Sequence, residues 1–124
     1  MGEMMYGSES VPITFDDRLL AHLQVVILSR FRRAESCGFS YAREESSGFS
    51  RETLWLSPSI PIRFSYTAAN RGGPLNRAWV EELARVAANG ELRIVPEPDA
   101  ALEMSGATGL AARGGGRAVA ARQR

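Results

Sequence analysis

The stretch "TLWLSPSIPIRFSY" (residues 53–66) decides how the chain is expected to fold, because two apolar runs flank a Ser-Pro-Ser break. Alternate residues of an extended chain share a face, and each run places its apolar side chains on one face: Leu54 and Leu56, then Ile60, Ile62, Phe64 and Tyr66. Residues 57–60 fit a turn, because Pro58 at the second position already has the required φ. Pro61 has no N–H for a sheet ladder, so it starts a strand or lies at an edge. The pattern predicts a β-hairpin.

The segments around this stretch predict the remaining elements from their turn residues, caps and apolar periods. Asp16 or Asp17 caps a first helix that runs to about Arg33. Asn76 caps a second helix that ends near Asn89, where Asn or Gly readily takes the left-handed conformation. Further strands are expected at residues 4–6, 11–15, 38–43 and 92–95, with a polar connection at 46–51. The order ββαβββαβ predicts an α+β fold, with an antiparallel sheet of about five to six short strands and two helices on one face.

The first predicted helix is apolar on two sides. Val25 and Leu28 point nearly opposite to its main apolar stripe, which is formed by Leu19, Leu20, Leu23, Val26 and Ile27. A helix that is apolar on two sides is normally covered on both. Either the second helix or a partner chain covers Val25 and Leu28, and the second alternative predicts a homodimer.

The chain is expected to form one α+β domain at residues 1–98, followed by a tail at residues 99–124. The tail is rich in Ala, Gly and Arg and has no apolar period, which predicts disorder. Residues 1–99 carry a net charge of −2, whereas residues 100–124 carry +3. The basic residues of the tail are Arg113, Arg117, Arg122 and Arg124. They predict weak, non-specific contact with nucleic acid.

The sequence offers few groups for catalysis. All 15 basic residues are Arg, and the chain has one His and one Cys. A zinc site needs three or four ligands, and a P-loop needs a Lys. His22 lies in the middle of the first predicted helix, where a packed structural role is favoured over a ligand or base, and Cys37 has no basic surroundings to activate it. We therefore expect a protein that is not an enzyme and that holds no metal or cofactor.

The cellular compartment is indicated by the same composition. A lone Cys cannot form an internal disulfide, which is typical of a reducing cytosol. The opening "MGEMMYG" lacks the features of a signal peptide, and no apolar run reaches the ~20 residues that span a bilayer. These features predict a soluble cytoplasmic protein without membrane contact.

Two groups of residues are candidates for binding. Arg30, Arg32 and Arg33 lie at the end of the first helix, where cations favour the negative end of its dipole. An anion or nucleic-acid contact is the alternative for these three. Trp55 points to the sheet face opposite Leu54, and with Arg63 and Tyr41 it would form a stacking platform for single strands. The alternative for Trp55 is an aromatic side chain shielded by its neighbours or by a dimer partner.

Several segments resemble a family of small uncharacterised actinobacterial proteins: "DDRLLAHLQVVI", "LWLSPSIPI", "LNRAWVEEL", "AN" and "LRIVPEP". The resemblance covers Met1 to about Pro98. Many members carry the automatic label "ATP-dependent DNA ligase" or a domain-of-unknown-function label. Ligases of that class form a lysyl-adenylate on the Lys of a K-x-D-G motif, whereas this chain has no Lys. Members often have a His where this chain has Ser57. The resemblance therefore implies an association with nucleic acid and no ligase activity.

The missing lysine predicts that the protein does not adenylate itself, because no side chain can form the lysyl-adenylate. After incubation with labelled ATP and a divalent metal, we expect no labelled protein band on a denaturing gel. A band that survives acid and base treatment would contradict this prediction.

Overall fold

The computed structural model describes residues 1–8 and 12–99, and in these residues the predicted order of elements is confirmed. The two helices and six strands are β1 (Gly2–Tyr6), β2 (Ile13–Phe15), α1 (Asp17–Arg32), β3 (Cys37–Glu45), β4 (Gly48–Leu56), β5 (Ile62–Ser65), α2 (Arg77–Ala88) and β6 (Glu91–Arg93). Disorder is predicted for the tail at residues 99–124, and the tail residues from 100 onward lie outside the described residues.

The six strands form two three-stranded sheets, in the orders β2-β1-β5 and β4-β3-β6. All pairings are antiparallel except β3 with β6, which run parallel. The α+β class is therefore confirmed, with the strands divided between two small sheets. A parallel pair needs a long crossover, and here the crossover includes α2.

The hairpin predicted at residues 53–66 is wrong. Leu56 in β4 lies opposite Cys37 in β3, whereas Ile62 in β5 lies opposite Tyr6 in β1. The predicted polar connection at 46–51 belongs largely to β4. The chain reverses at Ser46 and Ser47, just before Gly48, whose φ of 127° favours glycine. The prolines carry the chain from one sheet to the other instead, and Gly7 donates a backbone hydrogen bond to the Pro61 carbonyl.

Both helices begin at the predicted caps. The Asp16 carboxylate accepts from the N–H groups of Arg18 and Leu19, at 3.1 and 3.4 Å. The Asn76 side-chain carbonyl accepts from Ala78 and Trp79, at 3.0 and 3.3 Å. Each cap satisfies donors that a first helical turn leaves free.

One apolar core joins both sheets and both helices, and its fully buried members include Met4, Leu20, Phe39, Leu83 and Leu92. Val25 and Leu28 are half-buried. Val25 lines a groove of about 310 Å³ together with Val80, Ala84 and Ala88 of α2. The second helix therefore lies beside Val25, as one of the two alternatives predicts. Within the described residues, neither helix is long and apolar enough to cross a bilayer.

The Tyr6 hydroxyl connects the two sheets. It donates to the Trp55 carbonyl at 2.6 Å and accepts from the Ser57 N–H at 2.9 Å. Tyr6 ends β1, while Trp55 and Ser57 flank the last residue of β4. The hydroxyl thus holds the two sheets together where the chain leaves one of them.

We predict that Tyr6→Phe lowers the free energy of unfolding by about 1–3 kcal/mol, because two hydrogen bonds worth ~0.5–1.5 kcal/mol each are lost. Urea denaturation measures the change. The control is Tyr66→Phe, since the Tyr66 hydroxyl donates to the Gln24 side chain at 2.5 Å instead of bonding backbone groups of the other sheet, so its loss should cost less. Equal stability of Tyr6→Phe and the wild type would contradict the role of the hydroxyl.

Candidate functional site

His22 is a buried structural residue whose ring nitrogens are both engaged. It is 1% exposed, and its Nε2 accepts from the Asn76 N–H at 2.8 Å. The ring proton therefore sits on Nδ1, which donates to the Arg18 carbonyl at 2.7 Å. The ring also packs on Trp79, with 4.5 Å between the ring centroids. The packed role predicted for His22 agrees with this environment.

An ion-pair network surrounds His22. Arg18 Nε and Nη2 donate to the Glu97 carboxylate at 3.0 and 2.6 Å, and Nη1 donates to the carbonyls of Gly72 and Pro74. Asn76 Nδ2 donates to Glu97 and to the Pro98 carbonyl, both at 2.9 Å. The network ties the starts of both helices to the segment that follows β6.

The network also sets the charge of its members. The hydrogen bond from Arg18 lowers the pKa of Glu97 below its usual value, so this carboxyl is ionised at neutral pH. Burial lowers the pKa of His22 below its ordinary 6.5, and the bond to the Arg18 carbonyl opposes this only in part. His22 is therefore neutral at neutral pH, as its acceptor role at Nε2 requires.

A cleft of about 450 Å³ lies beside this network. It is lined by Asp16, Arg18, Leu19, Trp79, Ile94, Val95, Pro96 and Glu97. Arg18 and Glu97 neutralise each other, and the Trp79 indole N–H is already bound to the Val95 carbonyl at 2.9 Å. Arg18 and Glu97 of the cleft therefore stabilise the fold through contacts within the protein.

Cys37 is 2% exposed, and burial raises the pKa of its thiol. A protonated, enclosed thiol is a poor nucleophile. Among the residues that the structure describes, no three His, Cys, Asp or Glu side chains are grouped closely enough to hold a metal ion.

The arginines at the end of α1 close the turn into β3. Arg30 Nη2 donates to the Ser36 carbonyl at 3.0 Å, and Arg33 Nη2 donates to Glu35 at 3.1 Å. Arg33 Nη1 also donates to the Ser29 hydroxyl at 2.8 Å. Arg32 is exposed. The structure thus brings Arg30 and Arg33 to the same carboxylate, as the structural alternative for this cluster predicts.

The stacking platform predicted for Trp55 has different members from those expected. Trp55 is 65% exposed, as the prediction requires. However, Tyr41 is 3% exposed on the opposite face of the sheet, where its ring contacts Phe39. Arg63 belongs to the other sheet, opposite Met5. Neither residue shares a sheet face with Trp55.

Trp55 lies instead on the face of the β4-β3-β6 sheet that points away from the core, hereafter the outer face. The outer face is formed by Phe49, Arg51, Thr53 and Trp55 of β4, the positions 38, 40, 42 and 44 of β3 (Gly38, Ser40, Ala42 and Glu44), and Glu91 and Arg93 of β6. Opposite Arg51, Thr53 and Trp55 the middle strand contributes the small residues Ala42, Ser40 and Gly38, which leave a shallow floor between the two edges. The Ser40 hydroxyl bonds Thr53 at 2.8 Å and also binds Glu91.

Sequence reasoning missed Phe49 and Arg51. Phe49 is 77% exposed, and Arg51 is exposed beside it on the outer face. Their signal was the alternation itself, since residues 49, 51, 53 and 55 share a face in one continuous strand. From the sequence, residues 46–51 are assigned to a polar connection, so Phe49 and Arg51 are not recognised as strand residues on the same face as Trp55. The tail residues Arg113, Arg117, Arg122 and Arg124 lie outside the described residues.

The buried His22 predicts a pH dependence of stability. An unfolded chain binds a proton near the ordinary pKa of 6.5, whereas folded His22 resists protonation to lower pH. The unfolded state therefore binds more protons, and stability falls as the pH drops below about 6.5, by up to ~1.4 kcal/mol per pH unit. Urea denaturation between about pH 7 and pH 5 measures this slope. Glu97 contributes only at lower pH, since its ordinary pKa is 4.5 and its folded pKa is lower still.

The control is His22→Gln, which keeps a side-chain acceptor and removes the titrating group. We expect a flat stability profile over the same pH range in this variant. A slope as steep as that of the wild type would assign the pH dependence to another group.

Comparison with known proteins gives one assignment. The search of curated proteins and the search of solved structures each found no match. The family model described as "Domain of unknown function (DUF7882)" matches residues 1–97, which confirms the predicted membership of a family of unknown function. Because the match covers well over half of the 124 residues, the chain belongs to this family of domains of unknown function, DUF7882.

Proposed function

We propose that this chain is a cytoplasmic binding domain without catalytic activity, and that it takes single-stranded nucleic acid on the outer face. The observation that carries the proposal is the exposure of two large aromatic side chains, Trp55 and Phe49, on one face of one strand. A free, buried Cys37 supports the reducing compartment.

Aromatic side chains on an open sheet are the main binding groups of many single-strand binders. Each base can stack on an exposed ring, and the interaction tolerates any sequence because every base has a π-face. Trp55 and Phe49 are six residues apart in β4, which places them about 20 Å from each other. Rings at that separation would contact different nucleotides of one strand.

Two arginines of the outer face suit a phosphate backbone. Arg51 lies between the two aromatics, and Arg93 lies on the opposite edge of the sheet. Both are exposed, while the acidic Glu91 is bound by the Ser40 hydroxyl. Arg presents a rigid fork of donors that matches phosphate oxygens. The face therefore combines stacking with backbone attraction.

The tail supplies a second, weaker attraction in this proposal. Its four arginines neutralise at most about four phosphates, so they limit the salt slope to about −3.6 on duplex DNA and about −2.8 on a single strand. This contribution would be lost from a chain that ends at Asp99. Stacking on the outer face would remain there, and would keep the preference for single strands.

The absence of catalysis in this proposal is supported by what the reactive groups already do. His22 has both ring nitrogens bonded inside the fold, and Cys37 is enclosed and protonated. The chain also lacks Lys, which the lysyl-adenylate of an ATP-dependent ligase requires.

We predict that Trp55→Ala weakens binding of a fluorescein-labelled oligothymidine by roughly 5- to 150-fold, the equivalent of ~1–3 kcal/mol per stacked base. Fluorescence anisotropy at fixed salt measures the affinity. The matched control is Leu75→Ala, which removes an exposed apolar side chain away from the outer face. Arg51→Ala should also weaken binding, because it removes a charge that attracts phosphate. Its control is Arg77→Ala, since Arg77 carries the same charge on the exposed side of α2.

The same assay separates the sheet from the tail. Oligothymidine binding that survives truncation at Asp99 and falls with Trp55→Ala supports the outer face. Binding that disappears on truncation and is unaffected by Trp55→Ala would contradict the proposal and assign the contact to the tail alone.

A further inference from the structure

Among the residues that the structure describes, no strand pairs with one edge of β4. This strand lies at one end of the β4-β3-β6 sheet, with β3 as its neighbour. The bonds of Tyr6 to the Trp55 carbonyl and the Ser57 N–H show that odd-numbered residues turn their backbone groups away from β3. Since alternate residues of a strand point their polar groups the same way, Phe49, Arg51 and Thr53 also present N–H and C=O to this edge. Unpaired groups in such a row are a template for another strand.

We propose that a second copy of this chain pairs antiparallel along this edge, with Phe49 opposite Trp55 of the partner subunit. Two features of β4 select this partner. The strand begins at Gly48, and Tyr6 closes the open edge at the Trp55 carbonyl and the Ser57 N–H. Two copies therefore fit against each other from Phe49 to the Trp55 N–H, which is the whole open length of the edge. This inference rests on the geometry of β4, and it stands whether or not nucleic acid binds.

The side chains favour this register over its neighbours. It sets aromatic rings opposite each other twice, a pairing that stabilises antiparallel strands. It also places Arg51 opposite the uncharged Thr53 of the partner subunit. A shift by two residues in one direction would place Arg51 against its own copy. The opposite shift would place Phe49 at Ser57, whose N–H is already bound by Tyr6. The register with Phe49 opposite Trp55 avoids the first conflict, and it uses the Trp55 N–H while the Trp55 carbonyl stays bound to Tyr6.

Glu52 lies on the two-fold axis of this arrangement and meets its own copy across the interface. Its charge is already compensated within each subunit, because Tyr41 donates to it at 2.6 Å and Arg43 lies 3.3 Å away.

Residues opposite each other share a face, so the two outer faces would join into one face of a six-stranded sheet. The dimer would thus bring the exposed aromatics of both copies together.

Disulfide cross-linking of the full chain tests the register. In a Cys37→Ala background, Glu52→Cys places the two thiols on the axis, in a pair whose Cα atoms lie ~4.5 Å apart, which suits a disulfide. Residues 51 and 53 would meet their own copies only diagonally, at ~7–8 Å, which is too far to bridge without backbone movement. We expect mild oxidation to give a covalent dimer with Glu52→Cys, and none with Arg51→Cys or Thr53→Cys. Cross-linking at 51 or 53 instead of 52 would overturn the register.

Sedimentation of the unmodified chain tests the dimer itself. Thr53→Pro removes an N–H that points to the open edge, whereas Thr53→Val keeps it and loses the same contact with Ser40. We expect Thr53→Pro to weaken association by roughly 5- to 150-fold, because each dimer loses two backbone hydrogen bonds, and Thr53→Val to retain it. A wild type that stays monomeric at high concentration, or a Thr53→Pro dimer as tight as that of Thr53→Val, would overturn the proposal.

Discussion

The hydrogen bond from the Asn76 N–H to His22 Nε2 is the contact on which the arrangement of the helices depends. It joins the second turn of α1 to the cap of α2 across 54 positions of sequence, in a buried environment. Around it, Arg18 and Glu97 form an ion pair that also binds the Asn76 amide. One neutral imidazole and one ion pair thereby fix both helix starts and the segment after β6 in a single position.

This constraint decides which surfaces remain free. With α1 and α2 held together, their apolar stripes meet Phe39 and Leu92 on one face of the β4-β3-β6 sheet. The other sheet packs on the same core through residues such as Met4 and Phe15, whose ring contacts Phe39. Both helices and the second sheet thus share one side of the β4-β3-β6 sheet. The described helices and strands thus leave Trp55 and Phe49 of the outer face exposed.

Local signals in the sequence predicted the elements well, while contacts between distant segments were out of reach. Asp16, as one of two candidates with Asp17, and Asn76 were identified as caps because a cap acts within three residues of its own position. Alternation identified the strand residues around Trp55, but it carries no information on which strand pairs with which, so β4 was paired with β5 in error. The Arg18–Glu97 pair spans 79 positions, and its residues follow no local pattern. Part of the outer face could also be predicted from a local signal, because the exposure of Trp55 follows from alternation within one strand.

Tyr6 links the stability of the domain to its available surfaces. By binding the Trp55 carbonyl and the Ser57 N–H, it holds the sheets together and covers the last polar groups of the β4 edge. An edge strand with unpaired backbone groups can pair non-specifically with other strands. Because Tyr6 blocks one end of the β4 edge, fewer partner strands and fewer registers fit against it. The same hydroxyl fixes the backbone of Trp55 while leaving its side chain exposed. A ring on a fixed backbone loses less conformational freedom on binding than one on a loop, which favours Trp55 as a contact residue.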